Sequence, residues 1–391
     1  MSNQTMPGAP SGPRSYLDHA ASSPMRPSAT EALLRGSHVV GNPAALHGSG
    51  RAARALLEDA REQLAEAVGA HPSEVVFTSG GSEADSIALT AGSRRPGRRG
   101  VVVGATEHPA VATARLRLPS TDVLPCDRDG HPDLDALAER VGASTALVSV
   151  MSVNNETGTH IDLAPVVEQA HAVGAWAHSD AVQALGHVPV DFADSGLDLM
   201  SLSAHKVGGP VGIGALVARR EVELGTYGLG GGQERDVRSG TQPVALAAAF
   251  AAAAKQAAEE LEVESARLAG LRDGLVERVR ATITGAWVNG GERTSPAIVN
   301  ITFDGTRADD VLMLLDQAGV DCSTGAACRA GVHQPSEVLL AMGRSLDTAL
   351  ASVRFSFGPS TTAERVGSLA SLLPGVVSRA RTAYVAGEGE R

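Results

Sequence analysis

The chain has 391 residues, of which 43% are hydrophobic and 20% are charged, and its formal net charge is -11. This length exceeds the size at which one hydrophobic core usually stops growing, which predicts two domains. The negative charge disfavours direct binding to nucleic acid, because phosphate backbones are held by clustered lysine and arginine. The longest apolar stretch, residues 244–254, is shorter than the roughly 20 residues that span a membrane, so no membrane association is expected.

The cysteine content and the first residues indicate where the protein works. There are three cysteines, Cys126, Cys322 and Cys328, and they lack the spacing of a disulfide framework. An odd number of thiols favours a reducing cytoplasm and leaves a free thiol for function. Residues 1–14 are rich in proline, glycine and serine and lack the apolar segment of a secretory signal, so we expect a flexible arm.

Along residues 75–217, short β-branched and apolar runs alternate with helical patterns. This rhythm is typical of an α/β fold in which helices wrap a mostly parallel sheet. The first unit is a strand at 74–77, a turn at 78–81 and a helix from Ser82. Further strands are expected at 101–103, 146–150, 175–178, 199–203 and 212–217. Ligand sites of such sheets lie at the carboxyl ends of the strands.

Beyond this region the pattern changes. Residues 242–280 are rich in alanine, glutamate and leucine and predict one long helical region. An α+β pattern follows, with strands at 297–303 and 353–357, a helix at 308–318 and a terminal helix from Thr362. We therefore expect a large domain over residues 15–255 and a smaller domain over residues 256–391.

Two residues at strand ends are candidates for cofactor chemistry. Lys206 lies between an apolar strand and a glycine-rich turn. Burial there would lower the pKa of its amine and free it for a Schiff base with a carbonyl cofactor, although a surface lysine explains the segment equally well. Asp180 follows another strand and could meet a protonated pyridine nitrogen, whereas a helix N-cap is the commoner role for a lone aspartate there.

The predicted helix start after the first strand is a candidate phosphate site. Gly81 and Ser82 offer backbone N–H groups and a hydroxyl, and Ser203 and His205 could complete the cradle. The helix start, the strand-end aspartate and the lysine together match what pyridoxal phosphate (PLP) requires of a protein.

Three further residues suggest substrate chemistry. Cys328 lies among small residues beside Arg329, which would favour its thiolate, so it could act as a nucleophile or be an incidental surface thiol. Arg354 alternates with apolar residues and suits either a substrate carboxylate or an internal salt bridge. His108 could stack on a planar ring or move protons, although a lone histidine is more often structural. No ligand spacing predicts a metal site.

Several motifs occur in a characteristic order along nearly the whole chain. They are Tyr16-Leu17-Asp18, Gly41-Asn42-Pro43, Phe77-Thr78-Ser79-Gly80, Thr106-Glu107-His108, Asn154-Asn155-Glu156-Thr157-Gly158, Ser203-Ala204-His205-Lys206, Arg238-Ser239-Gly240-Thr241 and Arg354-Phe355-Ser356. This series resembles the cysteine desulfurases of the NifS/IscS kind, within the class V aminotransferase-like PLP enzymes. The chain departs from the usual family pattern at Gly81-Ser82, where alanine and threonine are common, and at Ser86, where asparagine is common.

The resemblance implies a PLP-dependent, aspartate-aminotransferase-like fold. The large domain would hold a mostly parallel seven-stranded sheet, and the smaller α+β domain would carry the Cys328 loop. The spacing from Cys328 to Pro335-Ser336 is similar to the longer loop of members that pass sulfur to scaffold proteins.

The resemblance also implies a role for each candidate residue. Lys206 would bind the cofactor covalently, Asp180 would pair with its pyridine nitrogen, His108 would stack on its ring and Gln183 would contact its phenolic oxygen. The phosphate would be held by Gly81, Ser82, Ser203 and His205, and by Thr241 from the neighbouring subunit of a homodimer. The substrate carboxylate would be bound by Asn155, which also lies against the cofactor, and by Arg354.

The activity implied is conversion of L-cysteine to L-alanine, with sulfur passing to Cys328 as a persulfide. A sulfur acceptor, such as an iron–sulfur scaffold or a tRNA-thiolation enzyme, would then receive it. The alternatives are a selenocysteine or cysteine-sulfinate lyase, a weakly catalytic member that mainly binds partners, and a nucleotide-binding oxidoreductase suggested by the glycine run at residues 228–232.

Overall fold

The computed structural model describes residues 14–325 and 334–388. Its strands are β1 (Ser15–Tyr16), β2 (Val75–Thr78), β3 (Gly100–Gly104), β4 (Thr121–Leu124), β5 (Thr145–Ser149), β6 (Trp176–Asp180), β7 (Leu199–Ser203), β8 (Gly214–Ala218), β9 (Ala286–Asn289), β10 (Ile298–Phe303), β11 (Val320–Asp321) and β12 (Ser352–Ser356).

The helices of the described chain surround these strands. They are α1 (Pro27–Ser37), α2 (Gly48–Ala67), α3 (Gly81–Ser93), α4 (Pro109–Ala112), α5 (Ala114–Arg117), α6 (Leu134–Arg140), α7 (Ala164–Ala172), α8 (Phe192–Ser195), α9 (Val244–Glu259), α10 (Leu261–Thr282), α11 (Ala308–Gln317), α12 (Glu337–Ala341), α13 (Leu346–Leu350) and α14 (Ala363–Glu388). None of them is long and apolar enough to cross a membrane.

The large sheet has seven strands in the order β2-β8-β7-β6-β5-β3-β4. Neighbours from β7 to β4 run parallel, and β8 is antiparallel to both β7 and β2. Val75 and Phe77 belong to one hydrophobic core and Val76 belongs to another, so alternate side chains of one strand enter opposite layers. Burial on both faces explains why the inner strands carry apolar runs. The strand directions confirm the predicted mostly parallel sheet.

A smaller antiparallel sheet, β12-β10-β9, lies in the later part of the chain and shares a hydrophobic core with α10, α11 and α14. The start of the chain joins this part, because β1 pairs in parallel with β11. Arg14 also donates to Asp321 over 2.6 Å, whereas the rest of the predicted arm, residues 1–13, lies outside the described residues. The domain boundary at residue 255 stays a prediction.

The predicted helical region at 242–280 consists of two helices that meet at Glu260. The alanine-rich α9 contacts α1 and α2, whereas α10 contacts α14. The carboxylate of Glu260 accepts a hydrogen bond from Arg26 at 2.6 Å. The expectation of one continuous helix was therefore wrong, because the two halves pack against different partners.

Candidate active site

A cavity of about 400 Å³ opens at the carboxyl ends of β6 and β7, beside the start of α3. Among its lining residues are ten of the predicted site residues: Gly81, Ser82, His108, Asn155, Asp180, Gln183, Ser203, His205, Lys206 and Arg354. This is the location expected for a ligand in a parallel α/β sheet. Two predicted residues are not among them: Thr241 is exposed, and Cys328 lies outside the described residues.

Lys206 ends a short 3₁₀ turn, Ala204–Lys206, directly after β7. Its Nζ donates to the backbone carbonyls of Ala20 at 2.6 Å and Ala21 at 2.9 Å. Burial lowers the pKa of Lys206 to about 8. The amine is therefore held inside the cavity, unlike that of the alternative surface lysine, and a substantial fraction of it is neutral near pH 8.

Asp180 is the last residue of β6. It therefore belongs to the strand, whereas the sequence placed it just after the strand. Its Oδ1 accepts from the Val182 backbone N–H at 2.9 Å, and no regular helix begins there. Burial raises the pKa of Asp180, while the charges of His108 and Lys206 lower it. The carboxyl group is thus buried at the floor of the cavity and does not serve as a helix cap.

His108 precedes α4, and its Nδ1 accepts from the Ala110 backbone N–H at 3.1 Å. That bond assigns the ring proton to Nε2 in the neutral form. Burial lowers the pKa of His108. A neutral imidazole therefore faces the cavity.

Two buried carboxyl groups beside this site were missed from the sequence. Asp85 on α3 is 1% exposed, and its Oδ1 has no hydrogen-bond partner among the described residues. Glu107 accepts from the Met151 backbone N–H at 2.6 Å through one oxygen, while its other oxygen is unpartnered within the described chain. Burial raises the pKa of both groups well above the ordinary value.

Asp85, His108 and Asp180 present side-chain atoms that lie within 4.8 Å of one another. These groups could also serve a cation, so the expected absence of a metal stays a prediction. A signal for Asp85 was present in the sequence, because it stands in α3 among the apolar residues Ala84, Ile87 and Ala88. A lone aspartate on an apolar helix face is an unusual buried residue, because burying a carboxyl group costs free energy unless it is paired or protonated.

The start of α3 lines the cavity and is the candidate phosphate site. A Cβ atom on Gly81 would approach Val182 Cγ2 to 2.6 Å, so an alanine in this chain would require Val182 to shift. The Nδ1 of His205 lies 3.3 Å from Ser22 Oγ, and burial lowers the pKa of His205 to about 4. Backbone N–H groups and hydroxyls, not an imidazolium, are thus what the cradle offers an anion.

Arg354 lies on β12 with its guanidinium directed to the cavity. Its Nη1 donates to the Asn155 carbonyl at 2.8 Å and its Nη2 donates to Asp18 at 2.7 Å. The internal salt bridge that the sequence left open is therefore present, with Asp18 as the partner. Arg354 Nε and Asn155 Oδ1 are buried and unpartnered within the described chain. Such orphaned groups indicate that a further polar partner belongs here.

Gln183 completes the cavity wall on the side of the N-terminal segment. Its Nε2 donates to the Ala20 carbonyl at 2.9 Å, which is the same oxygen that accepts from Lys206. The side chain is 4% exposed, and it is therefore held in one position.

The two described cysteines are poor nucleophiles. Cys126 and Cys322 are free thiols, and burial raises the pKa of Cys126 to about 11 and that of Cys322 to about 12. The segment at 326–333, with Cys328, lies outside the described residues, but Ser323 and Gly325 line the cavity.

The family model of the class-V aminotransferases matches residues 15–369. The chain belongs to this family. Members of the class-V aminotransferase family depend on PLP, and this one is a cysteine desulfurase by its relatives.

Three relatives document this placement. An IscS-like cysteine desulfurase of Mycobacterium tuberculosis is 46% identical over 388 residues, which cover 96% of this chain and 99% of that protein. The structure of a NifS-like protein has a TM-score of 0.86 and 30% identity, covering 93% of this class-V chain and 99% of its own. The structure of SspA in complex with cysteine has a TM-score of 0.78 and 29% identity, with coverage of 89% and 100%. The predicted family, fold class and activity are confirmed.

Proposed function

We propose that this cysteine desulfurase binds PLP in the cavity, converts L-cysteine to L-alanine and receives the sulfur on Cys328. The observation that carries the proposal is the convergence of a lysine of lowered pKa, a buried carboxyl group and an anion cradle at the start of α3 in one cavity. A relative of similar fold is known in complex with cysteine, which supports the choice of substrate.

The residues present fit PLP. Lys206 would bind its aldehyde carbon, Asp180 would face its ring nitrogen, Gln183 its phenolic oxygen and His108 its ring face, while the phosphate would lie at the cradle of Gly81, Ser82, Ser203 and His205. When bound, PLP withdraws electron density from the α-carbon of the substrate. The helix start at Gly81, with its backbone N–H groups, and the buried Asp180 are the features that favour this orientation.

The chain's own residues then orient the substrate and move its protons. Arg354 and Asn155 would bind the carboxylate, using the Arg354 Nε that has no partner within the described chain. The neutral Lys206 Nζ would take the α-proton, because its pKa of about 8 makes it a base that works near neutral pH. His108 Nε2 would hold a second proton inside the cavity.

Sulfur transfer would use the Cys328 thiolate. The thiolate attacks the substrate sulfur, an S–S bond forms as the substrate's carbon–sulfur bond breaks, and the electron pair left on carbon takes a proton to become the methyl group of alanine. Cys126 and Cys322 are unsuitable for this step, since burial keeps both thiols protonated at neutral pH.

The partners remain part of the proposal. A homodimer would bring Thr241 to the phosphate of the neighbouring site, and an acceptor protein, such as an iron–sulfur scaffold or a tRNA-thiolation enzyme, would take the sulfur from Cys328. The exposed position of Thr241 is compatible with a role outside its own cavity. The cytoplasm is the proposed compartment, based on the cysteine content.

The test is to incubate the full-length protein with L-cysteine without reductant and to measure alanine and the mass of cysteine-containing peptides. We expect alanine and one added sulfur on Cys328. Cys328→Ser should abolish the persulfide and keep the cofactor absorbance, while the matched Cys322→Ser variant should keep both. Alanine with no persulfide would instead identify a lyase, and the absence of both products would exclude unassisted desulfuration.

A further inference from the structure

Asp85 lies on the inner face of α3, one turn after the phosphate cradle. It lines the same cavity as Asp180, and side-chain atoms of Asp85, Asp180 and His108 lie within 4.8 Å of one another. The Asp85 side chain is almost completely buried, and its Oδ1 has no hydrogen-bond partner among the described residues. A buried carboxylate in this condition would be strongly destabilised, so its protonation state needs an explanation.

The groups that face Asp85 offer no positive charge. His178 Nε2 on β6 lies 3.8 Å from Asp85 Oδ1, but its ring also contacts Ser149 at 2.8 Å and Ser201 at 3.0 Å. Burial lowers the pKa of His178 to about 3, so the imidazole is neutral at physiological pH. His178 is therefore not a counter-ion.

The remaining neighbours disfavour a second negative charge. Asp180 on β6 and Glu107 after β3 both raise the pKa of Asp85, in addition to the larger effect of burial, and only a hydrogen bond from Ser201 opposes them. His108 is itself neutral, because burial lowers its pKa. Two adjacent buried carboxyl groups strongly disfavour simultaneous ionisation, so one of the pair keeps a proton.

We propose that Asp85 is a positioning residue that remains a neutral carboxylic acid, so that Asp180 alone carries the negative charge facing the ring nitrogen of the cofactor. This inference rests on the proposed function for the role of Asp180. Asp180 is the member of the pair that ionises, because it accepts a backbone hydrogen bond from Val182 and lies near Lys206. If Asp85 were charged instead, Asp180 would take up the proton and lose its interaction with the ring.

The first test is infrared difference spectroscopy on the full-length protein without cysteine. Subtracting the spectrum of Asp85→Asn from that of the wild type at pH 7 should reveal the loss of one protonated carboxylic acid band, which shifts in D₂O. The same subtraction with Asp180→Asn should reveal the loss of a carboxylate band. Loss of a carboxylate band on replacing Asp85 would overturn the inference. This measurement does not require activity, and cofactor absorbance tests PLP binding separately.

The second test separates proton release from a purely structural role. A folded pKa raised above the unfolded value makes a carboxyl group increasingly destabilising as pH rises from the unfolded to the folded value. The melting temperature of Asp85→Asn relative to wild type should therefore rise steadily with pH, whereas exposed Asp59→Asn on α2 should show no such trend. An Asp85→Asn difference that is constant with pH would contradict the proposal, and the offset between Asp85→Ala and Asp85→Asn reports the cost of the lost side chain, because neither variant titrates at this position.

Discussion

At Lys206 the immediate surroundings decide the charge of the amine. Its hydrogen-bond acceptors are the neutral backbone carbonyls of Ala20 and Ala21, and not a carboxylate in direct contact. Desolvation therefore dominates and lowers the pKa of the amine to about 8. An amine with this pKa exchanges readily between its protonated and neutral forms at cellular pH, and the neutral form can act as a base or a nucleophile.

The chain contains only two lysines, Lys206 and Lys255, which makes covalent capture of PLP unusually easy to assign. We expect PLP added to cofactor-stripped protein and trapped with borohydride to label Lys206. The labelling rate should rise with pH through about 8, because the neutral amine becomes populated. Lys206→Arg should abolish the label, and Lys255→Arg, at an exposed position, should leave it unchanged. A label on Lys255, or a rate that falls with increasing pH, would disprove the assignment.

Arg354 combines an ion pair with a spare donor, and a lysine cannot reproduce both. Arg354→Lys keeps the charge and loses the fork, so we expect the KM for L-cysteine to rise about 10- to 100-fold, as for loss of a charged hydrogen bond of about 1.5–3 kcal/mol. Steady-state kinetics should show a larger effect on KM than on kcat. Exposed Arg94→Lys is the control, and an unchanged KM with intact folding would rule out carboxylate binding by Arg354.

At the residue scale, the sequence predicted placement in the cavity for residues that lie in or just after a recognisable strand, and their roles stay predictions. Asp180 ends β6, Lys206 lies just after β7 and Arg354 lies within β12, and all three line the cavity. Asp85 was missed, since its environment is produced by β6 and by Glu107 after β3, which are distant in sequence. Asp18 was identified only within a motif, and its pairing with Arg354 depends on the return of the chain start to β12.

At the scale of elements, the junction of β2 and α3 brings the helix start against Val182. Gly81→Ala should weaken PLP binding by about 10- to 100-fold, because the added Cβ would meet Val182 Cγ2 at 2.6 Å and overpacking typically costs about 1–3 kcal/mol. Fluorescence titration of cofactor-stripped protein measures the change. Val182→Ala in the same chain should relieve the clash and restore much of the affinity.

A matched control exists on another helix. Gly270 lies in α10, where an added Cβ would meet no atom of another element of the described chain within 4 Å. Gly270→Ala should therefore keep PLP affinity and raise stability by about 0.5–1 kcal/mol. Equal loss of affinity in both variants would mean that the start of α3 has no special role.

Strands that are fully buried were easier to predict than the exposed edge strand β4. The predicted strand at 199–203 coincides with β7, whose residues are all buried. The edge strand β4 was missed because Asp122 and Val123 are exposed and the segment has no apolar run. The division between α9 and α10 was missed as well, since the residues around Glu260 are good helix formers and the break depends on which partners each half contacts.

For the whole molecule, the proposed dimer can be tested by mixing variants. In a heterodimer of Lys206→Arg and Thr241→Ala subunits, one site would combine Lys206 of one subunit with Thr241 of the other. We therefore expect PLP bound at limiting concentration to return to about half the wild-type level, because one of two sites is complete. Activity should return in parallel.

The same experiment distinguishes the alternatives. If Thr241 served only its own cavity, the mixed species would bind no more PLP than half the amount held by Thr241→Ala alone. Light scattering of each preparation gives the mass, and a monomer in all of them would contradict the dimer itself.

The pairing of β1 with β11 has a consequence for biosynthesis. The acceptors of the Lys206 amine follow β1, and β1 is held by hydrogen bonds to residues near 320, such as that from Leu17 N–H to the Asp321 carbonyl at 2.9 Å. During translation, the early segment must therefore wait for a strand made more than three hundred residues later. Most of the polypeptide is therefore synthesised before Lys206 has its native surroundings. We expect the cofactor to be acquired at the end of synthesis and not by the nascent large domain alone.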